Sequence, residues 1–238
     1  MAKKSFISLV DTGNKAGART LIEQTYALLR EDILSGRLAP GEKLLIEHLK
    51  DRYEVGAGTL REALSRLVSE AMVSAEGQRG FTVAPITLED LMDITNVRVQ
   101  VETEALRTSI RHGDEQWRRQ LRVAFESLSV LEQPLLPENV QRWETANARF
   151  HDALLAACDS NWTLRLVRQL TQHSERYRRY AIGLHSNRDV HAEHALIFDS
   201  AMAGQDARAA LALEAHIRAT PELIAQTIQS GHNLFMKS

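Results

Sequence analysis

Three histidines and one asparagine are the residues of this chain whose types and spacing suit a metal ion. In ETANARFHDALL, Asn147 and His151 stand four residues apart, so on a helix both project from one face. His194 and His216 lie on either side of Gly204-Gln205, and that turn is the midpoint between them. On two antiparallel helices joined there, the two rings should lie side by side, about 15 Å up from the loop at ~1.5 Å per residue. A helical i,i+4 pair facing two further imidazoles is an N/O donor set suited to a divalent metal such as Zn, Ni or Mn/Fe. The other reading is of ordinary helical histidines satisfied by water or carboxylates, and spacing by itself favours it. His191 and His194 in HAEH do not make the HExxH metalloprotease motif, so no hydrolase is read from them.

A second concentration of polar chemistry is HSERYRRY. Arg176, Tyr177 and Arg179 are candidates for an inward face, where an arginine can grip a carboxylate with its fork of donors. His173, one turn before Tyr177, joins them. A solvated charge run is the competing reading, and it is preferred for Arg178 and Arg179. A metal-dependent enzyme would need a general base beside the ion; Asp152, Glu144 and Glu193 are available and nothing singles one out. The chain has no Gly-rich phosphate loop, no GxSxG and no paired nucleophile and base, so catalysis is not expected. A metal sensor would use the same residues with the ion itself as signal.

These residues must be held by helices. Only 12 glycines and 5 prolines interrupt 238 residues, which predicts a mostly α protein. Residues 1–18 read as a flexible arm and 232–238 as a tail. Between them, residues 19–85 form one module and 86–231 a second, all-helical one. Thr87 can cap the first helix of the second module, with Asp90 three residues on. Helices are predicted over Leu88–Arg111, Asp114–Leu131, Pro137–Cys158, Trp162–Ile182, Arg188–Ala203 and Asp206–Ser230. The single cysteine, Cys158, sits in an apolar helical context and reads as a buried small side chain. No run approaches the ~18 apolar residues of a membrane span, and the N-terminus makes no convincing signal peptide. The expected location is the cytoplasm, with no membrane partner.

In the first module, Leu21, Ile22, Tyr26, Leu29, Ile33 and Leu34 follow helical spacing. A second short helix carries Leu45, Ile46 and Leu49 and ends near Tyr53. The third opens the stretch VGAGTLREALSRLVSEAMVSAEGQRGFTV. Met72-Val73 and Phe81-Thr82-Val83 then flank a turn at Gly77 to Gly80, as in a β-hairpin. Three helices and a hairpin are the order of a winged helix-turn-helix. Leu60, Ala63, Leu64, Leu67, Val68 and Ala71 share one face of the third helix, whereas Thr59, Arg61, Ser65, Arg66 and Ser69 lie elsewhere. Such a helix reads double-stranded DNA with its N-terminal end, and Arg61 can bind guanine through two hydrogen bonds. Gly56 and Gly58 at its start let the backbone approach phosphates closely, or they simply make the turn between helices. Thr59 caps the helix or meets phosphate there. Arg79, at the wing tip beside Gly80, would reach phosphate or the minor groove. A net charge of −2 is unlike that of a histone but allows a local basic surface.

At these residues a resemblance enters. Residues 20–85 resemble the DNA-binding domain of GntR-type bacterial transcription regulators, with LREALSRLVSEAMV on that family's reading helix and QRGFTV on its wing. RYEVGAGTLREALSRLVSE is similar to the branch containing the carbon-starvation-induced repressor. Many members have Ser/Thr-Arg-Thr before the helix, with the Arg on bases; here that position is Ala57. An Arg of the second helix in some members falls at Glu47. The resemblance thus implies a different operator, read more by Thr59, Arg61 and Arg79. Residues 88–231 resemble the all-helical ligand-binding domain of the FadR branch, often called FCD. Many such domains hold a metal with an Asp and three His. His151, His194 and His216 fall on the three His positions and Asn147 on that of the Asp, where an amide brings a carbonyl oxygen but no charge. Arg98, in DITNVRVQVE, matches a common FCD arginine near the cavity. The resemblance implies a homodimeric, ligand-responsive regulator. The expected role is repression of a catabolic operon, with a small carboxylate as effector beside the metal.

Overall fold

The structure, a computed structural model, describes residues 20–75, 80–133, 137–182 and 188–230. Helix α1 (Leu21–Leu34) starts at a reciprocal cap: Thr20 Oγ1 accepts from the Glu23 amide at 3.2 Å, and Glu23 Oε2 accepts from the Thr20 amide at 2.8 Å. Both contacts satisfy amides that the first helical turn leaves orphaned. Its inner face, Leu29, Ile33 and Leu34, is buried.

Strand β1 (Lys43–Leu44) comes next, then α2 (Ile46–Tyr53), α3 (Ala57–Ser69), β2 (Val73–Ala75) and β3 (Phe81–Val83). The two-residue β1 is too short to show alternation, and sequence patterning does not reveal it. It pairs antiparallel with β3 through Lys43↔Thr82 and Leu44↔Phe81, while β2 pairs on the other side through Val73↔Val83. The wing is therefore a three-stranded sheet of order β1-β3-β2. Leu45, expected on the apolar stripe of α2, instead precedes that helix and is exposed. Leu60, Ala63, Leu64 and Leu67 of α3 are all 0% exposed and bind α3 to the first two helices. Each buried leucine contributes on the order of 1.5–3 kcal/mol.

The rest of the described chain is helical: α4 (Leu88–His112), α5 (Glu115–Glu132), a 3-10 turn (Pro137–Asn139), α6 (Val140–Leu155), α7 (Asn161–Ile182), α8 (Val190–Met202) and α9 (Asp206–Gln229). Thr87 does cap α4, accepting from the Asp90 amide at 3.1 Å. The Asp90 carboxylate turns away and accepts from Tyr177 Oη at 2.6 Å. The core of this bundle is formed by Leu106, Trp117, Leu121, Phe150, Leu154, Ile197 and Leu213, with Cys158 packed among them. Gly113 is set by that core. A Cβ there would stand 2.2 Å from the Trp117 ring, which is pinned by Nε1 donating to the Ala153 carbonyl. α9 runs through a buried proline, Pro221, which removes one ladder hydrogen bond beside the cavity described below. A small third cluster, Ile86, Leu91, Tyr177, Ala181 and Ile224, packs where the winged module meets the bundle.

Candidate functional site

The outward face of α3 carries Arg61, Ser65 and Arg66, all exposed; Thr59 is half-buried. Arg66 pairs loosely with Glu62 at 3.7 Å. The helix begins at Ala57 on Gly56, two residues before Thr59, so Thr59 is not its cap. No side chain caps that end, which leaves first-turn N–H groups available to an anion. The two glycines are not required by the turn. Gly56 has φ −68° and ψ 153°, open to any residue, and a Cβ at Gly56 or Gly58 would meet nothing within 4 Å. The residue that bends the α2–α3 turn is Glu54, at φ 54° and ψ 40°. The free space at Gly56 and Gly58 is thus space toward solvent. Gly80 has a backbone reason instead: its φ is +101°. Arg79 lies outside the described residues.

In the bundle, α6 supplies Asn147 and His151, α8 supplies His194 and α9 supplies His216. The rings of His194 and His216 are 4.5 Å apart between centroids, and His151 stands 5.5 Å from the first and 5.2 Å from the second. One nitrogen from each of the three lies within 4.8 Å of the others. The outer nitrogens of two of them are held by carboxylates. His194 Nδ1 meets Glu132 Oε1 at 2.8 Å, and His216 Nδ1 meets Glu193 Oε2 at 2.7 Å. Each bond keeps the proton on Nδ1 and turns the Nε2 lone pair inward, the arrangement common for metal-ligating histidines. His194 Nε2 and Asn147 Oδ1 are both buried without a partner among the described residues. Burial, then the neighbouring rings and the charges of Arg98 and Arg178, hold His151 well below the usual imidazole range. Burial, His194 and Arg188 do the same to His216. Three imidazoles whose nitrogens gather within 4.8 Å, with a buried amide oxygen one turn away on α6, fit a divalent cation.

A cavity of about 150 Å³ adjoins this cluster, comparable with one that holds a single small ring. Arg98, Asn147, His151 and His216 line it, together with Thr171, Ser174 and Arg178 of α7 and with Arg188. Ser174 Oγ is buried there without a partner among the described residues. Each arginine comes with a carboxylate: Arg98 with Glu102 at 2.6 Å, Arg178 with Glu144, and Arg188 with Glu193 at 2.7 Å.

Three expected effector contacts lie elsewhere. His173, Arg176 and Tyr177 do not line the cavity. They share the adjacent face of α7, turned toward the winged module. His173 hydrogen-bonds the backbone of Glu70 at the end of α3. Arg176 donates to the Ala84 carbonyl at 2.8 Å, and Tyr177 Oη stands 3.4 Å from the Thr87 amide. Nor are Arg178 and Arg179 a solvated charge run. Arg178 faces inward, and Arg179 is gripped by Glu31 of α1 at 2.9 Å and Glu175 at 3.0 Å. Arg30 of α1 also pairs with Glu175, at 2.8 Å. Sequence reasoning missed Ser174 and Arg188, left Arg178 in solvent and gave Glu132 no role. A faint signal existed: Val167, Thr171, Ser174, Arg178 and Ala181 recur at 4, 3, 4 and 3 residues, one helical face.

The described chain is thus an exposed helix α3 with a wing, followed by a helical bundle around a histidine-lined cavity. Residues 21–83 match the family described as bacterial regulatory proteins, gntR family, and residues 93–219 match the FCD domain. The chain belongs to the GntR family, in its FCD branch. A GntR relative, the HTH-type transcriptional regulator BphR of Paraburkholderia xenovorans, is 43% identical, with 89% of this chain and 88% of that one covered. The HTH-type transcriptional repressor GlaR of Escherichia coli is 32% identical, over 87% of this chain and 96% of its own length. Among solved structures, a GntR regulator from Rhodococcus sp. RHA1 superposes with a TM-score of 0.68 at 22% identity, covering 86% and 97% of the two chains. Escherichia coli McbR/YncC does so at 0.69 and 19%, covering 90% and 100%. At these identities the likeness is one of fold. The chain is thus a DNA-binding transcriptional regulator; its family and relatives are regulators, not enzymes. No described helix is long and apolar enough to cross a membrane.

Proposed function

We propose that this regulator is a repressor whose grip on its operator is set by a small carboxylate bound beside a divalent metal. In this reading His151, His194, His216 and the Asn147 amide oxygen hold the ion. The ion supplies the positive charge that a carboxylate needs, since Arg98, Arg178 and Arg188 are already matched by glutamates. Ser174 and Thr171 offer hydroxyls to the bound acid. The observation that carries the reading is that Asn147 Oδ1, His194 Nε2 and Ser174 Oγ are buried without a partner among the described residues, the first and last in the cavity lining and His194 in the histidine cluster beside it, since buried polar groups are nearly always satisfied.

On DNA, the first-turn amides at Gly58 and Thr59 meet phosphate, Arg61, Ser65 and Arg66 face the major groove, and Arg79 and Gly80 belong to the wing. A homodimer would present two such heads to two half-sites. We place the division between head and bundle at residues 85 and 86, and the site of action in the cytoplasm, where the DNA is. The GlaR relative is named a repressor, which favours that sign.

Thermal unfolding tests this, before and after chelation, against a panel of mono- and dicarboxylates. An acid at 100 times its Kd should stabilise the folded chain by about 2.7 kcal/mol, and only with metal present. A curve unmoved by chelator and by every acid would remove the effector site.

A further inference from the structure

Among the described residues, three glutamates near the histidine centre are matched by arginine: Glu102 by Arg98, Glu144 by Arg178 and Glu193 by Arg188. A further one, Glu132 at the end of α5, is not. Its side chain is 3% exposed, and among the described residues no arginine or lysine pairs with it. It accepts from Trp143 Nε1 at 3.0 Å, meets His194 Nδ1 at 2.8 Å and lies 3.3 Å from His191 Nδ1. A buried carboxylate with no arginine or lysine beside it is costly. On α6, one turn before His151, stands the neutral amide of Asn147, whose Oδ1 is buried.

We infer that Glu132 supplies, through His194, the negative charge that Asn147 does not bring, and so is the positioning residue that lets three imidazoles and an amide hold a divalent cation. This rests on the metal reading above. Its physical basis is direct. A carboxylate on the outer nitrogen fixes the tautomer, makes the inner nitrogen a stronger donor and leaves net negative charge within one ring of the ion. Glu193 does the first of these for His216 but is itself neutralised by Arg188, so the charge balance of the centre falls on Glu132. An imidazole-rich set with one neutral oxygen favours Zn, Ni or Co over Mn or Mg.

The test measures Zn²⁺ affinity of the full chain by competition with a chromophoric chelator, and Zn content after dialysis, for the unchanged protein, Glu132→Gln, Asn147→Asp and the double variant. The glutamine side chain keeps the shape and an acceptor oxygen but not the charge. Affinity is expected to fall by about 10–100-fold in Glu132→Gln. It should rise by about tenfold or more in Asn147→Asp, and return to within about threefold of the starting value in the double variant, because the carboxylate has only changed sides. A merely structural Glu132 would not be rescued by a carboxylate at position 147. If the unchanged chain holds one Zn and Glu132→Gln binds it within about twofold of that affinity, the inference is wrong. If the unchanged chain holds no Zn, the metal reading itself fails and this one falls with it. Should Glu132→Gln not fold, Asn147→Asp decides alone: no gain in affinity overturns the inference.

Discussion

The reading helix and the histidine centre solve opposite problems. On α3, Arg61 and Arg66 stand in solvent, with no buried partner to satisfy, and the helix N-terminus is left without a side-chain cap. Such a surface waits for a polyanion, and its grip should weaken as salt screens it. At the centre the rings are oriented by partners: His194 is 0% exposed and fixed by Glu132, and His216 is fixed by Glu193. There, geometry and desolvation decide, and salt has little hold. The helix between them, α7, touches both. One face lines the cavity with Thr171, Ser174 and Arg178. Another meets the head through His173 and Glu70, Arg176 and Ala84, Glu175 and Arg30, and Arg179 and Glu31. The difference teaches where to expect each function to fail: at the head by loss of single exposed charges, at the centre by loss of any one oriented ring.

Several substitutions sharpen that contrast. The largest effect belongs to His194→Ala, which should abolish stoichiometric metal binding, counted by metal analysis after dialysis, while operator affinity of the ligand-free protein stays near its starting value. Arg61→Ala should do the converse. It should weaken operator binding by about 10–100-fold, from ~1–3 kcal/mol of base contact, with metal content and thermal midpoint unchanged; an affinity within about twofold would remove this face of α3 from the interface.

Gly58→Ala should separate stability from reading. Among the described residues nothing occupies the Cβ position, so alanine should raise folding stability by up to ~1 kcal/mol, yet lower operator affinity if the backbone there lies against phosphate. A variant that is both more stable and equally tight on DNA would show that the glycine serves neither.

The smallest effect concerns His173. Burial first, then Arg176, lowers its folded-state pKa below the ordinary 6.5. The unfolded chain therefore takes up the proton first, so this contribution to stability is present above pH ~6.5 and fades as pH falls below it. His173→Gln should flatten part of the acid limb of a stability-against-pH curve; an unchanged limb would mean that His173 does not report on the contact with Glu70.

The head is legible because its signals are local. The apolar stripe Leu60, Ala63, Leu64 and Leu67 and the Gly-bounded hairpin follow one another closely along the chain, and periodicity alone orders them. A two-residue β1 carries no periodicity, so it is invisible. The bundle's helices are equally readable from Gly and Pro breaks, but the rotation of α7 is not. Successive residues of a helix point about 100° apart, and nothing in RYRRY says which of Arg176, Arg178 and Arg179 faces a cavity. His151, His194 and His216 can be found from spacing and resemblance. Glu132 cannot, since its partner His194 is 62 residues away and the bond depends on how α5 ends against α8. Arg188, at the edge of a described segment, reaches His216 only through the tertiary fold.

One measurement bears most directly on the central claim that the cavity governs the head: the Kd for operator DNA, by fluorescence anisotropy, with and without Zn and with and without the acid selected by thermal shift. A ligand shifts DNA binding only through its differential affinity for the two arrangements of the head. Metal and acid together should change operator Kd by at least about tenfold, equivalent to ~1.4 kcal/mol of coupling, and the acid should do nothing to the chelated protein. Equal Kd values in all four conditions, or a shift by metal alone that the acid does not extend, would contradict it.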